Sequence, residues 1–159
     1  MQDRLDRRRC RIGINAAEPE PLSGSRAGAQ AGRPMPILPD TFAWRAVSHT
    51  PGASAITLLG DGREAGMYVY RVRFARGTKG APHTHPDERF TLVVSGTLYV
   101  GFGETFDESN MVAIPQGSAY TAPAGTPHYL WARDGEVVLQ EAGVRPTATT
   151  FVKTSPPAP

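Results

Sequence analysis

Cysteine is nearly absent: the 159 residues contain one, Cys10. A single thiol excludes an intramolecular disulfide framework and any cysteine-rich zinc site. Long apolar runs are missing as well. No stretch of about eighteen consecutive apolar residues occurs, so no segment reads as a membrane-spanning helix and no membrane partner is expected. The chain also lacks an excess of one charge. Its formal net charge is +2, and that small excess belongs to one end. Residues 1–36 hold seven arginines and four acids, whereas the rest holds ten basic and eleven acidic side chains. The body is near neutral and shows no basic stripe suited to nucleic acid. Histidine is scarce too, with four in the chain: His49, His83, His85 and His128.

What is present points to β-structure. Gly (17) and Pro (15) make up about a fifth of the chain, a share that suits many tight turns better than a helical bundle. Apolar residues reach 40%, enough for a packed core in one domain of this length. Residues 1–36 are expected to be a disordered Arg/Gly/Pro-rich tail, residues 37–150 the folded domain, and residues 151–159 a flexible C-terminus. The tail's arginines are followed by Ile12-Gly13-Ile14-Asn15 and then acids rather than by an apolar stretch. It therefore has neither a secretory nor a twin-arginine export pattern, and its four acids speak against an organelle transit peptide. The expectation is a cytoplasmic protein. Met35 stands just before the first structured-looking segment, and a translation start there would account for the whole tail. Arg7-Arg8-Arg9 reads as a solvated charge run, and Cys10 receives no catalytic role.

The body reads as short strands separated by turns every eight to twelve residues, the pattern of a sandwich or barrel. Met67–Phe74 alternates, with Tyr70, Val72 and Phe74 on one face and Arg71 and Arg73 on the other, solvated one. Gly77–Pro82 reads as a turn. Phe90–Val94 and Thr97–Phe102 read as strands of a hairpin joined at Ser95-Gly96. Met111–Pro115, Ser118–Ala122, His128–Ala132 and Val137–Gln140 are further strands, and Asp107–Asn110 suggests one helical turn.

The histidines carry the chemistry. His83 and His85 lie two apart in Pro82-His83-Thr84-His85-Pro86, so on an extended segment both imidazoles leave the same face. Two such rings can converge on one metal ion, and His128 from another strand is the candidate that would close the site. His49, in Ser48-His49-Thr50-Pro51, has no such neighbours and reads as a surface or loop residue.

The spacing is more specific. Gly77, His83, His85 and Gly96 fall at the fixed positions of G-x5-H-x-H-x3-E-x6-G, and Gly117, Pro123, Gly125 and His128 at those of G-x5-P-x-G-x2-H-x3-N. Together these resemble the two motifs of the cupin superfamily, matching eight of ten fixed positions. The run Pro82–Arg89 is also similar to small bacterial single-domain cupins of uncharacterised function. The resemblance covers roughly residues 37–150. It implies an all-β fold, a single-domain double-stranded β-helix or jelly-roll barrel with its metal inside. Two positions depart from the family pattern. Its glutamate ligand falls on Arg89 and its asparagine on Ala132. Glu88 is adjacent, but an offset of one residue on a strand turns a side chain to the opposite face; a bulge near Asp87 would bring it back. The resemblance thus implies three ligands, His83, His85 and His128, for one divalent transition metal: Fe, Mn, Ni, Cu or Zn.

Arg89 bears on the ligand. An inward guanidinium near a dication is repelled by on the order of several kcal/mol. Either Arg89 turns to Asp87 or Glu88 and solvent, or a small anionic substrate bridges it and the metal. Gln140, at the end of an apolar strand, would be a substrate contact if its tip faced inward. Tyr99, Phe102, Met111 and Tyr120 read as core residues that can also line a pocket. With His128 facing inward, Tyr129 and Trp131 point away, as core packing or as spare apolar surface for a homodimer, the assembly usual in the family. The expected function is a metal-dependent enzyme on a small organic substrate, an oxygenase first and an isomerase or lyase second. The rival is a non-catalytic cupin that binds a small ligand.

Overall fold

The computed structural model describes residues 36–60 and 65–153. The expected tail therefore lies, but for residue 36, outside the described residues. The strands are β1 (Arg45–Ala46), β2 (Ala53–Leu59), β3 (Met67–Phe74), β4 (Lys79–Thr84), β5 (Arg89–Ser95), β6 (Thr97–Phe102), β7 (Val112–Pro115), β8 (Ala119–Ala122), β9 (His128–Trp131), β10 (Val137–Val144) and β11 (Thr150–Phe151). They form two antiparallel sheets, ordered β1-β2-β3-β10-β5-β8 and β11-β4-β9-β6-β7. The fold is all-β, as expected. Glu108–Asn110 forms one 3-10 turn, capped by the Asp107 side chain, which accepts from the Ser109 backbone N–H.

Alternation fixes which face each strand buries. On β3, Tyr70, Val72 and Phe74 face the interior. On β10, Val137 and Leu139 are fully buried and define the inward phase. The core joins Phe74, Val93, Leu98, Val100, Leu130 and Leu139. The four motif glycines, Gly77, Gly96, Gly117 and Gly125, all have φ between +73° and +84°. Their spacing thus marks left-handed turns, which side-chain-bearing residues rarely adopt.

Three expectations are corrected. Ser95-Gly96 is not a hairpin turn: β5 and β6 belong to different sheets, so this turn carries the chain from one layer to the other. Gly77–Pro82 is not all turn, because Lys79–Pro82 belongs to β4. That segment has little β-propensity of its own, and pairing with β9 holds it extended. Between Gly80↔Leu130 and His83↔His128 the register shifts, and this bulge accommodates Pro82, which has no N–H to donate. The barrel also does not stop at residue 150. Thr150 and Phe151 pair with Thr84 and His83 as β11.

Tyr129 and Trp131 are not a spare surface. Tyr129 is 1% exposed. Its ring lies over Gly101, where any Cβ would collide with it, and its hydroxyl donates to the Asp107 carbonyl at 3.1 Å. Trp131 is covered by Lys79, whose ammonium sits 4.4 Å from the ring centre. The exposed large apolar side chains include Met67, Phe90 and Val144 instead. Tyr99 points outward, donating to Asp134 at 2.6 Å under the Arg133 guanidinium. Phe102 is also exposed, whereas Tyr120 packs against the core.

Candidate metal centre

His83 on β4 lies directly opposite His128 on β9, and His85 follows one residue beyond the end of β4. The ring centres are 4.4 Å apart for His83 and His128, 4.8 Å for His83 and His85, and 5.2 Å for His85 and His128. One ring nitrogen from each lies within 4.8 Å of the other two. All three residues are buried. The structure therefore brings together the three histidines that the spacing singled out.

Each ring is also oriented. His83 Nδ1 lies 2.7 Å from the Ala81 carbonyl, His85 Nδ1 2.7 Å from the Ala148 carbonyl, and His128 Nδ1 3.1 Å from the Thr126 carbonyl. A carbonyl only accepts, so Nδ1 carries the proton in all three and Nε2 is left with its lone pair. Burial holds the rings neutral. It pulls His83 down to about 4 and, with the nearby Arg89 charge as second cause, His85 down to about 3. Burial lowers His128 as well. Three neutral imidazoles with tied Nδ1 groups and free Nε2 lone pairs form a donor set that fits a divalent transition metal.

At position 89 the side chain turns inward and pairs with Asp87 rather than reaching solvent. Residues 85, 87 and 89 are buried, while 86, 88 and 90 are exposed. The chain therefore alternates here without a bulge, and Glu88 faces solvent rather than the histidines. Arg89 points inward, with 6% exposure, and both terminal nitrogens of its guanidinium donate a hydrogen bond, while Nε has an ion-pair partner but no hydrogen bond. Nη1 donates to Glu141 Oε2 at 3.0 Å, Nη2 donates to Thr147 Oγ1 at 2.7 Å, and Nε lies 3.6 Å from Asp87 Oδ2. Asp87 in turn accepts from the Tyr68 hydroxyl. Burial and this bond push the Tyr68 phenol up to about 12. Two carboxylates meet one guanidinium, so the wall beside the histidines is not net positive.

Gln140 is corrected as well. It pairs with Arg71 across β3 and β10, accepts from Arg71 Nη2 at 2.5 Å, and lies on the face away from the cavity. Its neighbour Glu141 is the inward residue. The alternation of Val137 and Leu139 carries the signal for it: continuing that phase two residues past Leu139 reaches Glu141.

The cavity is about 230 Å³ in volume. His83, His85, Arg89 and Glu141 contribute to its polar lining, and Val47, Ala53, Val72, Phe74 and Leu130 to its apolar lining. Phe151 and His49 also line it, their rings 5.1 Å apart. His49 is an exposed loop residue, but it stands at this cavity.

Two antiparallel sheets closed over an inward trio of histidines define a jelly-roll barrel with a candidate metal site. The family described as "Cupin domain" matches residues 70–140, a stretch that contains both motifs, and this match together with the cupin-fold neighbours supports the cupin superfamily. It is 28% identical over 117 residues to germin-like protein subfamily 2 member 1 of Arabidopsis thaliana, covering 68% of this chain and 52% of that protein. It is 32% identical over 114 residues to germin-like protein 5-1 of Oryza sativa subsp. japonica, covering 70% and 43%. The chain thus spans about half the length of the curated relatives it matches. Among solved structures, the polyketide cyclase RemF of Streptomyces resistomycificus superposes with TM-score 0.65 at 15% identity, covering 77% of this chain and 88% of that one. KdgF of Halomonas sp. gives 0.56 at 23%, covering 67% and 91%. Salicylate 1,2-dioxygenase of Pseudoaminobacter salicylatoxidans gives 0.54 at 17%, covering 65% and 30%. At these identities the likeness is one of fold.

Proposed function

We propose that His83, His85 and His128 bind one divalent transition metal and that the protein is a metal-dependent enzyme acting on a small organic molecule. The observation that carries this reading is the set of three neutral imidazoles, each fixed through Nδ1, clustered at a cavity lined by both polar and apolar side chains. An ion held by three protein nitrogens keeps coordination positions open and supplies Lewis acidity, with redox chemistry available if it is iron, manganese, nickel or copper. The protein's own groups do the rest. The backbone carbonyls hold the rings, the apolar walls exclude water and grip a substrate body, and Arg89 with Glu141 sets the charge beside the open positions. Oxygenase chemistry is the first reading and isomerase or lyase chemistry the second. Barrels of similar fold include a dioxygenase and a cyclase.

Elemental analysis of untagged protein, purified without added metal, tests the metal. About one transition-metal ion per chain is expected, and His128→Ala should lower it at least tenfold while the β-rich circular dichroism spectrum persists. Equal metal content in the two proteins overturns the site. One observation favours a second reading, a small-ligand binder without catalysis. Among the described residues, no carboxylate joins the three histidines as a close fourth donor, and fewer ligands weaken retention. Protein that comes metal-free with an occupied cavity would decide for that reading.

A further inference from the structure

We infer that Glu141 is the proton acceptor of this site, held in place by Arg89, and that it selects ligands whose metal-binding head carries an O–H rather than a preformed carboxylate. The inference rests on the reading that the three histidines hold a divalent ion.

The geometry supplies the first part. Among the described residues, Glu141 is the single carboxylate in the wall of the cavity that His83 and His85 also line. Its side chain is 14% exposed. One oxygen, Oε2, takes the Arg89 Nη1 proton at 3.0 Å, which fixes the carboxylate as a charge-assisted pair does. No hydrogen bond among the described residues falls on the other oxygen, Oε1, which is left as an acceptor. Arg89 cannot swing away easily, because Thr147 and Asp87 hold its other edges. Asp87 is itself fixed by the Tyr68 hydroxyl and sits against Gly143, where an added Cβ would lie 2.7 Å from its carboxylate. The network is thus locked from behind and open in front.

Charge supplies the second part. A carboxylate ligand would meet Glu141 at close range, and the Arg89 charge is already shared between Glu141 and Asp87. A neutral hydroxyl head avoids that repulsion. As its oxygen binds the ion, the O–H bond breaks, the electron pair stays on the ligand oxygen, and the proton passes to Glu141 Oε1. Glu141 becomes a neutral carboxylic acid and still accepts from Arg89 through Oε2. No proton leaves the complex. The apolar part of the cavity lining suits a compact carbon body. Phenols or enols with an adjacent carbonyl combine these features.

Calorimetry on the zinc-loaded full chain tests this, with ortho-hydroxyacetophenone as the probe, a phenol that is protonated in neutral water. Titrations in two buffers of different ionisation enthalpy count the protons released on binding. The parent should release essentially none. Glu141→Gln should bind the probe about tenfold or more weakly and release about one proton, at unchanged zinc content. Benzoate should bind the parent more weakly than the phenol does. Glu141→Asp keeps the charge but withdraws the oxygen, so it should show the same loss of affinity; it decides the matter if the glutamine variant does not fold. A parent that releases a full proton, or variants that match it in affinity and proton count, overturns the role of Glu141 while the metal reading stands. A parent that holds no zinc overturns the metal reading and this inference with it.

Discussion

Arg89 and Glu141 are diagonal neighbours on β5 and β10: Arg89 pairs with Gly143 and Thr91 with Glu141. Strand alternation turns both inward, where neither charge is stable alone. Removing the cation should therefore do more harm than removing one anion. Arg89→Met leaves Asp87 and Glu141 buried without a counter-charge and should cost about 3–5 kcal/mol in urea unfolding. Glu141→Leu added to it should restore at least half of the loss, since one of the stranded carboxylates is gone. A double variant no more stable than the single one would show that Glu141 does not depend on Arg89. The three histidines were legible in the sequence because their spacing is fixed by turns that demand glycine. Glu141 was not, because the choice between Gln140 and Glu141 is a choice of strand phase. That phase is set by the burial of Val137 and Leu139, which two adjacent valines at 137 and 138 obscure.

At the scale of elements, β3 and β6, rich in β-branched and aromatic residues, were legible to their ends, whereas β2, with fewer of them, was not singled out. Strands held by their partners were not legible either. β4 reads as a turn through Gly80 and Pro82, and β11 has two residues, too few for any periodic signal. Yet β11 and the segment before it furnish the site. Ala148 holds His85 through its carbonyl, Thr147 holds Arg89, and Phe151 packs 5.9 Å from the His83 ring centre. Outer partners of metal-binding histidines commonly change affinity ten- to a hundredfold when lost. A chain ending at Pro146 should therefore bind zinc at least about tenfold more weakly than the full chain in competition with a chromophoric chelator. Equal affinity would mean that His85 keeps its orientation without the strap.

At the scale of the whole molecule, the centre links stability to pH. In the metal-free protein His83 and His85 titrate at about 4 and about 3 when folded, against 6.5 for ordinary histidine. The lowered values mean that the unfolded chain takes up protons below pH 6.5 which the folded chain refuses. The stability tied to these two rings is complete above pH 6.5 and is lost as pH falls toward 4 and then 3. Lowering a pKa by one on folding corresponds to about 1.4 kcal/mol, so the loss should amount to several kcal/mol, a large part of the total stability of a domain this size. Urea midpoints of metal-stripped protein should change little between pH 8 and 7 and drop steeply from pH 6.5 to 4. Replacing His83 and His85 together with Asn should flatten that drop. Saturating metal acts in the same direction, adding about 2.7 kcal/mol at a hundredfold excess over the dissociation constant, and acid should remove that increment as the imidazoles protonate. If the midpoint of the double variant falls with pH as steeply as that of the parent, the acid sensitivity arises from other groups, and the two imidazoles are not held neutral by burial.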